Sequence, residues 1–316
     1  MTPGWLEPQL ATLTRERFSD PDWVFERKLD GERCLAYADG GSVKLLTRNR
    51  KDVSATYPEV RDAVAGRAKA DLVADGEIVA FDGAATSFAK LQQRLGVRNP
   101  PAALLSKVPV YYYVFDLLYA GGDDLRRLPL SERKNHLARV LPAGDPLRVA
   151  EHRAGDGEEY FNQACKQGWE GLIAKRADAP YRSGRSRDWL KFKCENGQEF
   201  VIGGFTDPRG SRTYLGALLL GYYRPDGTLA YAGKVGTGFS EPTLASLAAA
   251  LRPLERPTPA FERAAGLPRS AVHWVRPRLV AQVAFTEWTG AGQLRHPRYL
   301  GLRDDKDPES VVREAG

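Results

Sequence analysis

Lys28-Leu29-Asp30-Gly31-Glu32-Arg33 follows, after Glu26-Arg27, the apolar run Trp23-Val24-Phe25. The run reads as a strand, and the hexapeptide puts a lysine, an acid, a glycine turn and an arginine at its end. A lysine attacks only as the neutral amine, and its ordinary pKa is about 10.4. Burial or neighbouring cations lower that value and create a nucleophile. Taken alone, the same residues also read as the start of a hairpin, with lysine ahead of an Asp-Gly turn. The choice between the two readings rests on the segments downstream of Arg33.

Those segments form an ordered series. Thr47-Arg48-Asn49 comes first, then Asp75-Gly76-Glu77, Tyr113-Val114-Phe115-Asp116, Glu170-Gly171-Leu172-Ile173-Ala174-Lys175-Arg176 and Trp189-Leu190-Lys191-Phe192-Lys193. Near the C-terminus stands Leu294-Arg295-His296-Pro297-Arg298-Tyr299-Leu300-Gly301-Leu302-Arg303-Asp304-Asp305-Lys306. The series resembles the covalent nucleotidyltransferases: ATP-dependent DNA ligases, RNA ligases and mRNA capping enzymes. In detail it is similar to the ligase component of bacterial ligase D of non-homologous end joining. Trp169-Glu170-Gly171 and Phe285-Thr286-Glu287-Trp288-Thr289 carry that narrower match, and the resemblance spans nearly the whole chain.

The resemblance implies a three-step reaction. Lys28 attacks the α-phosphorus of ATP and forms lysyl-AMP, the AMP passes to a 5′-phosphorylated DNA end, and a 3′-hydroxyl then seals the nick. Each step is an in-line displacement at phosphorus, so the protein mainly positions groups and neutralises charge. Lys191 and Lys193 alternate in a strand and share one face; there they would contact the α-phosphate and disfavour protonation of Lys28. Glu170 would hold Mg²⁺ or Mn²⁺ through oxygen, and Glu77 would bond the ribose or assist the metal. Arg33 and Arg48 would contact ribose or phosphate. Phe115 would stack on adenine, and Glu26 would frame the adenine pocket. Asp30 would serve the later, DNA-dependent steps. Arg303 and Lys306, with Asp305 between them, would orient the leaving pyrophosphate, which demands closure and reopening of the C-terminal domain.

Each residue type has a plainer reading beside these roles: strand lysine, turn carboxylate, surface arginine, core phenylalanine. Two other functions also compete. One is an RNA ligase or a GTP-using capping enzyme, separable by nucleotide choice. The other is a non-catalytic nucleic-acid-binding module with an OB-fold and a basic platform. The joint presence of Lys28, Glu77, Glu170, Lys191 and Lys193 argues against the second.

Composition fits this picture. The 316 residues are 42% hydrophobic and 27% charged, with a formal net charge of +6, as in soluble globular proteins with polyanionic partners. No apolar run reaches membrane-spanning length and no signal peptide opens the chain. Cys34, Cys165 and Cys194 lack metal-type spacing, which argues for reduced thiols in a cytoplasm, with Cys34 a small core residue; the resemblance implies that the cytoplasm or nucleoid is bacterial. The basic loop Tyr181-Arg182-Ser183-Gly184-Arg185-Ser186-Arg187 suits phosphates. Val235-Gly236-Thr237-Gly238 lacks a lysine in phosphate-loop register and reads as a strand-edge turn.

The expected fold is α+β. A nucleotidyltransferase (adenylation) domain of antiparallel sheets and helices covers 1–195, and a β-barrel OB-fold domain covers 196–316. Strands are expected at Leu72-Val73-Ala74 and Ile78-Val79-Ala80-Phe81 around Asp75-Gly76-Glu77, and at Val110 to Phe115. Helices with polar caps are expected at Ser131 to Val140 and Asp156 to Gln167, and a further helix at Glu241 to Leu251. Pro253 to Pro268 reads as a loop. The expected partners are nicked or broken double-stranded DNA, a Ku-like end-binding protein and a separate repair polymerase, met by a monomer without a membrane. The chain reads either as a free-standing ligase or as one domain of a larger protein, without the N-terminal helical DNA-binding domain of larger ligases.

Overall fold

The computed structural model describes all residues except Met1, Glu195, Arg209, Ser211, 263–265, Arg269 and 315–316. The chain divides into two units, Met1–Cys194 and Glu195–Ala315.

Strand Glu32–Asp39, which begins with the last two residues of the hexapeptide, is buried on both faces. Cys34, Ala36 and Ala38 pack on one side with Tyr57, Val60 and Val64 around helix Pro58–Arg67. Leu35 and Tyr37 pack on the other side with Val73, Phe115 and Trp189. Strict period-two alternation makes this a central strand between two layers. Its sheet runs Ser42–Thr47, Glu32–Asp39, Leu72–Asp82, Val110–Ala120 and Asp123–Asp124, with Ala85–Thr86 and Leu147–Val149 added at the side. A second sheet runs Gln9–Leu13, Gly184–Lys193, Gly171–Arg176, Trp23–Arg27 and His152–Ala154. Pairing is antiparallel except for Gln9–Leu13 on Gly184–Lys193 and Val110–Ala120 on Leu147–Val149.

Four expectations need correction here. Asp75-Gly76 makes no turn: Leu72–Asp82 is one continuous strand with a register shift at Asp75/Gly76. Glycine is needed there because a Cβ would collide with the Tyr112 ring and lie 2.5 Å from the Tyr113 carbonyl oxygen. The two helices lack side-chain caps. Leu130–Val140 begins after Pro129, and its first amides donate to the carbonyls of Ala179 and Ala177, so tertiary backbone takes the place of a polar cap. Asp156 makes no capping bond to Gly157–Lys166. Finally, Cys165 and Cys194 form a disulfide instead of staying reduced, with Cα atoms 5.3 Å apart. Pairing of Gly171 with Lys193 and the Cys194 amide bond to the Glu170 carbonyl bring the strand end back beside the helix carrying Cys165. Cys34 is buried and unbridged.

The second unit is a β-rich sheet with one helix. Its order is Leu229–Val235, Leu218–Tyr223, Asn196–Thr206, Val272–Phe285 and Glu255–Arg256, with Arg298–Leu302 added on Val272–Phe285. Helix Glu241–Leu251 is capped by the Ser240 hydroxyl and buries Leu244, Leu247 and Leu251 with Phe200, Ile202 and Val283. This is the content of the expected OB-fold domain, though among the described residues the strand pairs do not close into a ring. Pro253 to Pro268 is not wholly loop, since Glu255–Arg256 pairs with Val275 and Trp274. Gly238 ends the Val235-Gly236-Thr237-Gly238 turn with its backbone against Tyr299. Among the described residues no helix is long and apolar enough to cross a membrane.

Candidate active site

Register decides which side chains meet. In the five-stranded sheet Glu26 pairs with Ile173 and Val24 with Lys175, while Ile173 pairs with Lys191, Lys175 with Trp189 and Gly171 with Lys193. Paired residues share a face, so Glu26, Lys175, Trp189, Lys191 and Lys193 lie on one side. Phe25, Leu172, Ala174, Leu190 and Phe192 point the other way, onto Tyr160 and Ala164 of helix Gly157–Lys166. Lys28 continues the line beyond Glu26: its amide donates to the Gly171 carbonyl at 2.9 Å. Gly171 has φ +147°, and a Cβ there would strike the Phe192 carbonyl, so glycine permits the approach that seats Glu170 beside Lys28.

Lys28 Nζ lies 2.5 Å from Glu170 Oε2, the two side chains 19% and 26% exposed. Burial pulls the amine down, but Glu170, followed by Asp30 and Glu77, pulls harder and raises its pKa above the usual value. This corrects the expectation of a lysine depressed by cations: in this structure carboxylates dominate, and the amine is an ammonium. The Asp30 amide donates to Thr86 Oγ1 at 3.2 Å, and its carboxylate accepts from the Phe88 amide at 3.3 Å, which ties the turn to the segment after Leu72–Asp82.

Arg33 forks onto Asp75, with both contacts at 2.6 Å, and also donates to the Gln9 carbonyl. Burial pulls the guanidinium down and Asp75 outweighs it, so its pKa is raised. Tyr181 donates its hydroxyl to the same Asp75 at 2.6 Å and accepts from the Gln9 amide. Arg33 is therefore already neutralised from within the fold. Glu77 stands opposite Arg33 in register. Arg48 is half-buried, just past strand Ser42–Thr47. Phe115 is 7% exposed, with the Arg33 guanidinium 4.5 Å and the Lys175 amine 4.2 Å from its ring centre. Glu26 is buried between Lys134 and Lys175.

Arg303 and Lys306 belong to the second unit. Arg303 is buried and forks onto Asp305 at 2.8 and 2.9 Å, while Lys306 meets Glu199 at 3.1 Å. Burial raises the Asp305 carboxyl, but Arg303 outweighs it and leaves the pKa below the usual range.

Sequence reasoning missed Asp75 as the partner of Arg33, Tyr181 as its second contact, and the pair Lys134 and Lys175. An aspartate and a lysine inside otherwise apolar strands are signals of buried pairing, but their partners depend on register and helix docking.

A divalent cation fits the donor set. Glu170, Asp30 and Glu77 are oxygen donors close enough to act on one amine. Among the described residues no group of three or more His, Cys, Asp or Glu side chains is placed to hold a metal ion by itself. Mg²⁺ keeps several waters and needs only one or two carboxylates beside phosphate oxygens.

The family model described as the ATP dependent DNA ligase domain matches residues 8–193, and that of the ATP dependent DNA ligase C terminal region matches 211–306. The chain belongs to the ATP-dependent DNA ligases. This ligase is 39% identical, over 99% of its length, to the multifunctional non-homologous end joining protein LigD of Pseudomonas aeruginosa, covering 37% of that protein. It is 40% identical, over 98% of its length, to the corresponding DNA repair protein LigD of Mycobacterium tuberculosis, covering 40% of it. The ligase thus spans well under half the length of these relatives. A solved mycobacterial DNA ligase D complexed with ATP and MES superposes with a TM-score of 0.70 at 38% identity, covering 98% of each chain.

Proposed function

We propose that this ligase seals 5′-phosphate/3′-hydroxyl nicks or breaks in double-stranded DNA through adenylation of Lys28 by ATP, and that it does so in end-joining repair. The observation that carries the reading is the Lys28–Glu170 contact on a face that also bears Glu26, Lys191 and Lys193. Lys28 must shed a proton before it can attack phosphorus, and we assign Glu170, 2.5 Å away, as the first acceptor. Lys191 and Lys193 offset charge on the α-phosphate, and Glu26 and Phe115 take the base. Arg33, held by Asp75, keeps the ribose side rigid, and Arg48 meets ribose or phosphate. Asp30 acts in the DNA-dependent steps, and Arg303 and Lys306 steer the pyrophosphate. Glu170 and Glu77 hold Mg²⁺ or Mn²⁺, which when bound neutralises phosphate charge.

Work as a monomer in a bacterial cytoplasm or nucleoid, beside a Ku-like end-binding protein and a repair polymerase, is inferred from the LigD likeness and is part of the proposal. The test is a nicked duplex with a 5′-phosphate. Sealing should require ATP and a divalent cation, GTP should not replace ATP, and Lys28→Ala should not start the reaction. Sealing by Lys28→Ala with ATP would overturn the reading.

A further inference from the structure

A buried group of three charges lies against the same sheet face, and one member comes from a helix outside every motif of the series. Glu26 Oε2 meets Lys175 Nζ at 2.7 Å, and Oε1 meets Lys134 Nζ at 2.6 Å. Lys134 stands on helix Leu130–Val140 and also donates to the Phe115 carbonyl at 3.3 Å. All three side chains are less than a tenth exposed. Lys175 Nζ sits 4.1 Å from the Trp189 ring centre as well as close to Phe115.

One carboxylate faces two ammonium groups. Burying an uncompensated charge is costly, and Lys175 alone would answer Glu26, so Lys134 is more than the pairing needs. Its ammonium contacts Oε1 at 2.6 Å, while Lys175 donates to Oε2. Each carboxylate oxygen can accept more than one hydrogen bond, so Oε1 can take a further donor beside the lysine. Glu26 and Lys28 are two strand residues apart on one face, roughly 7 Å. The edge of adenine presents a donor amine beside an acceptor ring nitrogen, which matches a carboxylate beside an ammonium. The corresponding edge of guanine presents two acceptors, O6 and N7, and no donor.

We propose that Lys134 is a positioning residue for the nucleobase: it holds Glu26 from the helix side, across the carboxylate from Lys175. This rests on the reading that ATP serves Lys28. Lys134 also acts on Lys175 through charge. Burial pulls the Lys175 amine down, Glu26 pulls it up and Lys134 pushes it down again, leaving it at about 8. Asp116 from strand Val110–Ala120, itself tied to Arg133, also acts on it. His152 faces the group from the neighbouring strand, its own pKa lowered by burial and then by Lys134. Arg33 lies over Trp189.

The experiment measures AMP transfer to the protein against ATP concentration and pH for wild type, Lys134→Met and Lys134→Arg. Lys134→Met should raise the KM for ATP on the order of tenfold with little change in kcat. It should also move the limb near pH 8 upward by about one unit, because the charge depressing Lys175 is gone. Lys134→Arg should restore both. Unchanged KM and limb, or a fall in kcat with the limb unmoved, would overturn the proposal. If Lys134→Met loses its cooperative melt, Lys134→Gln takes its place with the same expectations. Calorimetric ATP binding in a Lys28→Ala background separates the two readings. Weaker binding on adding Lys134→Met upholds the proposal even if labelling fails, and equal binding sinks it even if labelling succeeds.

Discussion

Lys28 and Glu170 are joined at 2.5 Å across neighbouring strands, the amine amid three carboxylates that together raise its pKa. The resting ligase therefore holds its nucleophile protonated. Stability from such a raised lysine is fully present below its unfolded value of about 10.4 and is lost as pH climbs through the higher folded value.

Glu170→Gln removes the largest pull that raises Lys28. Burial then dominates, and the Lys28 pKa should fall, as read from pH-dependent NMR of reductively methylated lysines. AMP transfer should nevertheless slow by roughly a hundredfold, since the proton acceptor is lost. A Lys28 pKa that stays put, or transfer at the wild-type rate, would show that the pair does not govern the amine.

Gly76 lies where strand Leu72–Asp82 passes against Tyr112 and Tyr113. Gly76→Ala should destabilise the first unit by about 1–3 kcal/mol through overpacking. Urea unfolding monitored by tryptophan fluorescence measures this, and an unchanged midpoint would refute the close approach.

In the second unit His273 bonds Asp207 at 2.8 Å and Glu255 at 3.2 Å, and stacks on Phe205. Asp207 raises the imidazole most, burial opposes it, and Glu255 adds to the rise, leaving the pKa above the usual value. Its contribution should be complete below about pH 6.5 and vanish as pH rises through the raised folded pKa. Melting of wild type should drop more between pH 6 and pH 8 than melting of His273→Gln; equal drops would remove His273 from the account.

The ordered motifs made much of this ligase legible in advance. Lys28, Asp30, Glu77 and Glu170 could be named because each sits in a short segment of distinctive chemistry, and the fold brings their charges to bear on one amine. The hidden part depended on three-dimensional register. Asp75-Gly76 is a turn-forming pair by local preference, yet strands on both sides hold it extended, with Arg33 and Tyr181 consuming the carboxylate. Lys134 lies in an ordinary amphipathic helix, and only the docking of that helix takes it to Glu26. The Cys165–Cys194 bridge joins positions 29 apart with no spacing motif, and only the return of strand Gly184–Lys193 places them together.

The most direct test of the central claim is peptide mass spectrometry after incubation with ATP, a divalent cation and no DNA. AMP is predicted on the peptide containing Lys28, linked to that lysine and lost on adding a nicked 5′-phosphorylated duplex. AMP on another residue, or its continued formation in Lys28→Ala, would contradict the claim.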